Sequence, residues 1–109
     1  MRAILIDPEN KTLSEIQITD SNAEHRTILQ CEDLYRGAVL SRNETGHDVI
    51  IVNNDPLSLD EPGFVLDGDH HLFVRCALAM RFDRKTEVVR DLQISTEKLA
   101  ERITFPSRR

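Results

Sequence analysis

The stretch LDGDHHLFVRC, residues 66–76, holds the densest group of side chains that could do chemistry. Two aspartates and two adjacent histidines fall within five positions, and a cysteine follows five residues later. A protein zinc site uses such groups, with three or four ligands converging at about 2 Å. The candidates are Asp67, Asp69, His70, His71 and Cys76.

Strand geometry argues against a shared site. The run 70–82 is strand-like, and because side chains on a strand alternate between faces, His70 and His71 point in opposite directions. Cys76 lies roughly 16 to 20 Å further along the strand at about 3.3 Å per residue. Asp67-Gly68 between two hydrophobic runs is a strong hairpin signal, since both residues tolerate positive φ. We therefore predict a hairpin corner with no catalytic residue, metal or cofactor.

An alternative site would join this corner to a second loop. His47 and Asp48 would complete a cluster with Asp69 and His70 if the two loops meet in the fold. The chain would then be a small metal- or ligand-binding, enzyme-like domain. The sequence contains no nucleophile-elbow, dinucleotide or phosphate-loop motif, so we expect a protein that is not an enzyme.

Apolar patterns predict the elements that surround the corner. Segments 2–7 and 12–18 flank the turn PENK and predict an N-terminal hairpin. Ser21 with Glu24 three residues later is a capping-box signature, which predicts a helix. The unbroken apolar run within 48–53 predicts a strand covered on both faces, a candidate for the centre of the sheet.

The rest of the chain completes the predicted fold. Segment 35–41 is a further strand, joined to 48–53 through a turn in which Gly46 is suited to positive φ. A long strand ending at residue 82 pairs with 87–94, and a short helix follows Ser95. The prediction is one α+β domain over 1–109, mainly an antiparallel sheet of about six or seven strands with two short helices.

Charge is unevenly distributed along the 109 residues, whose formal net charge is −5. Residues 1–80 carry 14 acidic and 6 basic side chains, whereas residues 81–109 carry 5 acidic and 8 basic ones. The negative net charge disfavours direct nucleic-acid binding, so a phosphate-binding surface would have to be local. No apolar stretch is long enough for a membrane span, and we expect a cytoplasmic protein with reduced thiols at Cys31 and Cys76.

Two features are candidates for binding a protein partner. The first is a run of acids with no base between residues 53 and 69, namely Asp55, Asp60, Glu61, Asp67 and Asp69. Such a patch would meet a basic protein surface or imitate a phosphate backbone.

The second feature is one face of the long predicted strand. Phe73 and Arg75 alternate there with Ala77, Ala79 and Arg81, which makes the face half apolar and half cationic. The C-terminal helix covers this face or a partner does. An open face would favour a symmetric homodimer.

The order of segments resembles that of small phage- and plasmid-borne accessory proteins of unknown function. The residues that carry the resemblance are MRAILIDPENKTLSEIQI, DVIIVNND and PGFVLDG. The resemblance implies a mobile-element accessory protein with a small α+β fold and brings no catalytic residue with it. We expect function through protein–protein binding. By analogy with anti-CRISPR proteins, we expect the partner to be a host nucleic-acid-processing defence complex that the protein inhibits. A structural homo-oligomer is a further alternative.

Overall fold

In a computed structural model of the protein, residues 1–55, 61–68 and 72–106 are described. They form nine strands and two short helices, which confirms the α+β class and the mainly antiparallel sheet. Three of the strands hold only two or three residues, which is why the number exceeds the prediction. In chain order the elements are β1 (Arg2–Asp7), β2 (Thr12–Gln17), α1 (Asn22–Leu29), β3 (Leu34–Arg42), β4 (Gly46–Asn53), β5 (Gly63–Leu66), β6 (Leu72–Val74), β7 (Ala77–Asp83), β8 (Val89–Arg90), α2 (Thr96–Arg102) and β9 (Ile103–Thr104).

The main sheet has the order β2-β1-β7-β4-β3, with β8 paired to β7, and every pair is antiparallel. The predicted N-terminal hairpin is confirmed, with Arg2 opposite Gln17 and Asp7 opposite Thr12. Residues 48–53 of β4 are buried throughout, as expected for a strand covered on both faces. The middle of the sheet is β7, however, and β4 lies beside it.

The prediction of one long strand ending at residue 82 is wrong, because the chain turns sharply at Arg75. This residue adopts a left-handed conformation with φ 69°, which a strand cannot accommodate. The chain before the turn forms β6, which belongs to a small second sheet of order β6-β5-β9. The chain after it forms β7 of the main sheet. The β5–β6 pair confirms a hairpin at the 66–76 corner, and Asp67 and Gly68 both have positive φ.

Each face of the main sheet contributes to its own hydrophobic core. On one face, Ile50 and Val52 of β4 pack with the second sheet and with α2, and the rings of Phe64 and Phe73 stack there with centroids 5.3 Å apart. On the opposite face, Val49 and Ile51 belong to a core that includes residues of α1. Because side chains alternate between faces along β4, this strand contributes residues to both cores.

Side-chain caps begin both helices. Ser21 Oγ accepts a hydrogen bond from the backbone N–H of Glu24 at 3.2 Å, as the capping-box signature predicts. The Glu24 carboxylate reaches Thr19 N–H instead of the N–H of Ser21. Ser95 caps α2 in the same way through Lys98 N–H. Neither helix of the described residues has the length and apolar character needed to cross a membrane.

Candidate binding surface

The acidic residues predicted to bind a partner are engaged within the chain, as far as the structure describes them. We call Asp55, Glu61 and Asp67 the acidic corner; Asp60 and Asp69 lie outside the described residues. Asp55 accepts hydrogen bonds from two backbone N–H groups, those of residues 32 and 33, each at 3.0 Å. Glu61 lies 2.7 Å from the Arg75 guanidinium. Asp55 therefore holds a turn, and Glu61 compensates Arg75.

Asp67 forms a two-point ion pair with Arg102. Arg102 donates two hydrogen bonds to its carboxylate, at 2.8 and 2.7 Å, and a third to the carbonyl of Leu40. The Arg102 hydrogen bond is the main reason that the pKa of the Asp67 carboxyl lies below its usual range. The pair ties the β5 end of the small sheet to α2 and to β3.

The half-apolar strand face is covered, which is one of the two outcomes the sequence left open. Phe73 is only 6% exposed and stacks on Phe64, and Ala77 and Ala79 are fully buried in the same core. Leu99 of α2 belongs to this core as well. Phe73, Ala77 and Ala79 are therefore core residues, whereas the Arg75 side chain of the same predicted face is partly exposed.

His47 and the described residues of the β5–β6 hairpin lie on opposite faces of the main sheet. The β5–β6 hairpin packs on the face that carries Ile50 and Val52, whereas His47 shares the parity of Val49 and Ile51. Asp69, His70 and His71 lie outside the described residues. Within the described ranges, no three His, Cys, Asp or Glu side chains are grouped closely enough to hold a metal ion.

Neither cysteine has the character of an activated nucleophile. Both are free thiols. Burial raises the pKa of Cys76 to about 11, with the Asp7 carboxylate adding to the shift. Burial, and then the charges of Asp55 and Asp33, raise the pKa of Cys31. A raised pKa keeps a thiol protonated, and the thiolate is the reactive form.

Two bulges in β3 create a different surface on the face of His47. The pairing of β3 with β4 shifts register between Arg36 and Ala38 and again between Val39 and Ser41. Directly paired residues lie on the same face, and Arg36, Val39 and Arg42 oppose Ile51, Val49 and His47.

Phe82 of β7 is the next neighbour of His47 in this row. We call Arg36, Val39, Arg42, His47 and Phe82 the open face. Simple alternation along β3 would place Val39 on the other side of the sheet from both arginines. The bulges are therefore the reason that an apolar side chain and two guanidinium groups share this surface.

Arg36 is fixed at the centre of the open face. Its guanidinium carbon lies 4.2 Å from the centroid of the Phe82 ring, a cation–π arrangement. Nη1 lies 3.1 Å from Nε2 of His47, within hydrogen-bond distance. Nη2 donates to Glu87 at 3.2 Å. The charge of Arg36 is thus partly compensated within the chain.

A cationic depression of about 540 Å³ lies at one end of the open face. Arg36, Arg42, Arg84 and His47 line it, and Glu44 is the one acidic residue among its lining residues. Within the described part of the chain, the side chains of Arg42 and Arg84 form no hydrogen bond or ion pair, and both are exposed. With His47 neutral, the lining residues carry a charge of +2, in a chain whose net charge is −5.

A more apolar cleft adjoins the depression. It has a volume of about 300 Å³ and lies between α1 and the sheet, where Ile51, Met80, Phe82 and Val89 contribute to its wall. Arg36 lines both the cleft and the depression, so the two adjoin at this side chain. A ligand that spans them would bury an apolar group beside an anionic one.

A buried ion pair lies on the face of the sheet opposite to His47, next to the turn that follows Arg42. Asp48 and Arg81 are fully or almost fully buried, and their side chains meet at 2.9 Å. The second carboxylate oxygen of Asp48 accepts from the backbone N–H of Ile94 and from Ser41 Oγ. Burying a charge is costly unless it is paired and hydrogen-bonded, and here both conditions are met.

The same network holds the turn between β3 and β4. Arg81 donates to the side-chain oxygens of Asn43 and Thr45. Asn43 Oδ1 also accepts from the N–H groups of Thr45 and Gly46, an Asx turn. Gly46 does not have the positive φ that the sequence suggested; a Cβ there would lie 2.3 Å from the carbonyl oxygen of Phe82. Close approach of two backbones, not turn conformation, therefore requires glycine.

The sequence gives no signal for the open face, because its residues come from separate segments. Arg84 follows β7 and meets the turn after Arg42 only because β4 pairs with β7 from Gly46 to Val52. Comparison of the sequence with protein-family models and curated proteins, and of the fold with solved structures, finds no match.

Proposed function

We propose that this protein is not an enzyme and that it acts by binding another protein through the open face. The observation that carries the proposal is the pair of exposed, uncompensated arginines, Arg42 and Arg84, beside a cleft with an apolar wall. Arginine and aromatic side chains are enriched among the residues that dominate binding energy at protein interfaces. Arg36 stacked on Phe82 joins the two types at the centre of the surface.

Charge complementarity defines the partner that fits. The depression carries positive charge and the cleft is partly apolar, so the partner segment carries acidic side chains next to an apolar one. A basic partner, which the acidic run suggested, is less well matched because Glu61 and Asp67 already pair with arginines of the chain. Because the sequence resembles mobile-element accessory proteins, we propose that the partner is a host protein of the kind that anti-CRISPR proteins inhibit.

Selection from a random peptide library displayed on phage tests this proposal. The wild-type protein should enrich peptides with acidic residues next to a large apolar residue. The variant Arg42→Glu/Arg84→Glu should lose these peptides, because the reversed charges repel them.

A matched control separates the surface from the net charge. Arg26→Glu/Lys98→Glu changes the net charge equally at two exposed positions outside the open face, and it should retain the selected peptides. Enrichment of basic peptides, or equal binding by the wild type and Arg42→Glu/Arg84→Glu, would overturn the proposal. Loss of binding only in an Asp55→Ala/Asp60→Ala/Glu61→Ala variant would assign binding to the acidic run instead.

A further inference from the structure

We propose that the cationic depression binds a phosphate monoester, and that the partner segment presents this group on a phosphorylated side chain. The second half of this inference rests on the proposed function; the first half concerns the depression alone. The observations that carry it are the surplus charge of the lining residues, the chemistry of the unpaired donors, and the rigidity of the turn that holds them.

The depression carries a surplus of positive charge that an anion would compensate. Arg36, Arg42 and Arg84 contribute three positive charges to the lining, and Glu44 removes one. Glu87, outside the lining, compensates Arg36, so a net charge of +1 is left for a ligand. Net charge therefore does not distinguish a phosphate monoester from a carboxylate. The number of oxygens does, because two arginines that each bind a different pair of oxygens need at least three, and a carboxylate has two.

The remaining acidic residue near Arg84 is not available to neutralise it. Asp83 accepts hydrogen bonds from the backbone N–H groups of Lys85 and Thr86 and pairs with Arg90 at 3.3 Å. The backbone hydrogen bonds are the largest reason that the pKa of Asp83 is about 2. Its charge is directed into the β7–β8 turn, and it does not line the depression.

The donor chemistry fits phosphate. A guanidinium group presents a planar fork of N–H donors that matches two oxygens of a phosphate, and such charge-assisted bonds are roughly twice as strong as neutral ones. Two arginines that flank one depression could each approach a different pair of phosphate oxygens.

The two arginines belong to segments that are tied together before any ligand binds. The N–H of Arg84 donates to the carbonyl of Thr45 at 3.1 Å, which links the β7–β8 turn to the turn that follows Arg42. The N–H of Asn43 closes that turn on the carbonyl of Gly46 at 2.9 Å. Preorganised donors avoid part of the ordering cost of binding.

The first experiment uses inorganic phosphate as the probe and the whole ¹⁵N-labelled protein. Titration at constant ionic strength should give saturable amide shifts at Arg42, Glu44, His47 and Arg84. Arg42→Ala and Arg84→Ala should each weaken binding about tenfold or more, because each variant loses charge-assisted hydrogen bonds to phosphate.

Two control variants make this titration decisive. Glu44→Gln should bind phosphate more tightly than the wild type, because it removes the one negative charge of the lining. Arg26→Ala should bind as the wild type does, since Arg26 is an exposed arginine outside the depression. Shifts that do not saturate, or affinities that Arg42→Ala and Arg84→Ala leave unchanged, would overturn the inference.

The second experiment compares a selected acidic peptide with the same peptide carrying phosphoserine in place of one acidic residue. The phosphopeptide should bind more tightly than its parent, and Arg42→Ala/Arg84→Ala should abolish the difference. If the parent binds and the phosphopeptide is no tighter, the phosphate inference fails while the proposed function stands. If phosphate binds and neither peptide does, the depression is a phosphate site and the proposed protein partner is wrong.

Discussion

The acidic corner and the cationic depression at the end of the open face carry charges of opposite sign and differ in how these charges are compensated. In the corner, Glu61 and Asp67 meet Arg75 and Arg102 at 2.7 Å, and Asp55 accepts from two backbone N–H groups. In the depression, Arg42 and Arg84 form no comparable contacts within the described part of the chain. The charges of the corner are compensated within the fold, whereas those of Arg42 and Arg84 are not.

A run of like charges in the sequence therefore does not reveal which charges remain uncompensated on the folded surface. The run of acids between residues 53 and 69 is conspicuous in the sequence, but the arginines that compensate it come from other segments. The arginines of the open face are dispersed along the chain and are assembled only by strand pairing. Substitution of these arginines should therefore change partner binding, whereas substitution of the acidic corner should change stability.

The largest expected effect comes from the buried pair that holds the turn between β3 and β4. Asp48→Ala would leave the Arg81 charge buried without its partner, and we expect the free energy of unfolding to fall by about 3 to 5 kcal/mol. Urea denaturation measures this. The double variant Asp48→Leu/Arg81→Met should be less destabilised than Asp48→Ala. Equal stability of Asp48→Ala and the wild type would contradict the supporting role of the pair.

Phe73 beside the acidic corner should behave as a core residue and not as a contact residue. Because it is buried against Phe64, Phe73→Ala should lower the free energy of unfolding by about 3 to 5 kcal/mol. Leu72 is 47% exposed on the same strand, so Leu72→Ala is the matched control and should have a much smaller effect in the same denaturation experiment. Similar losses for the two variants would place Phe73 outside the core.

The ion pair of the acidic corner should stabilise the fold modestly and only above acidic pH. Arg102 keeps the pKa of Asp67 below its ordinary value of 3.8, so the ionised carboxylate favours the folded chain. The stabilisation is present above pH 3.8 and is lost as the pH falls through the lower value of the folded state. At neutral pH the exposed pair should contribute about 0.2 to 1 kcal/mol.

Asp67→Asn tests this contribution by denaturation at a series of pH values. The difference in the free energy of unfolding between wild type and variant should shrink towards acidic pH. A difference that grows as the pH falls would contradict the assigned pairing.

The smallest effect on stability is expected from the open face itself. Arg42→Glu/Arg84→Glu removes no hydrogen bond or ion pair made by these two side chains within the described residues, and surface changes of this kind usually alter stability by about 0.5 kcal/mol or less. Thermal unfolding should therefore match the wild type closely. A marked loss of stability would mean that these arginines hold the fold.

Local features of the fold could be predicted from the sequence. The hairpin of residues 2–17 follows from two apolar segments and a turn, and the start of α1 follows from Ser21. These features are set by residues a few positions apart, where propensity and capping decide the conformation.

Two backbone irregularities could not be predicted. The left-handed conformation of Arg75 ends a strand that the apolar pattern would continue, and nothing in an arginine favours positive φ. The bulges in β3 change which side chains share a face, and they exist because of pairing with β4. The open face depends on the bulges, so alternation along the sequence pointed away from it.

The most direct measurement is a map of backbone amide shifts when the wild-type protein binds a selected acidic peptide. We predict that the shifts cluster in residues 36–47 and 82–88, which contain the open face and the turn that bears Arg84. Shifts confined to residues 61–68 and 72–75 would contradict the account, because they would place the partner on the acidic corner.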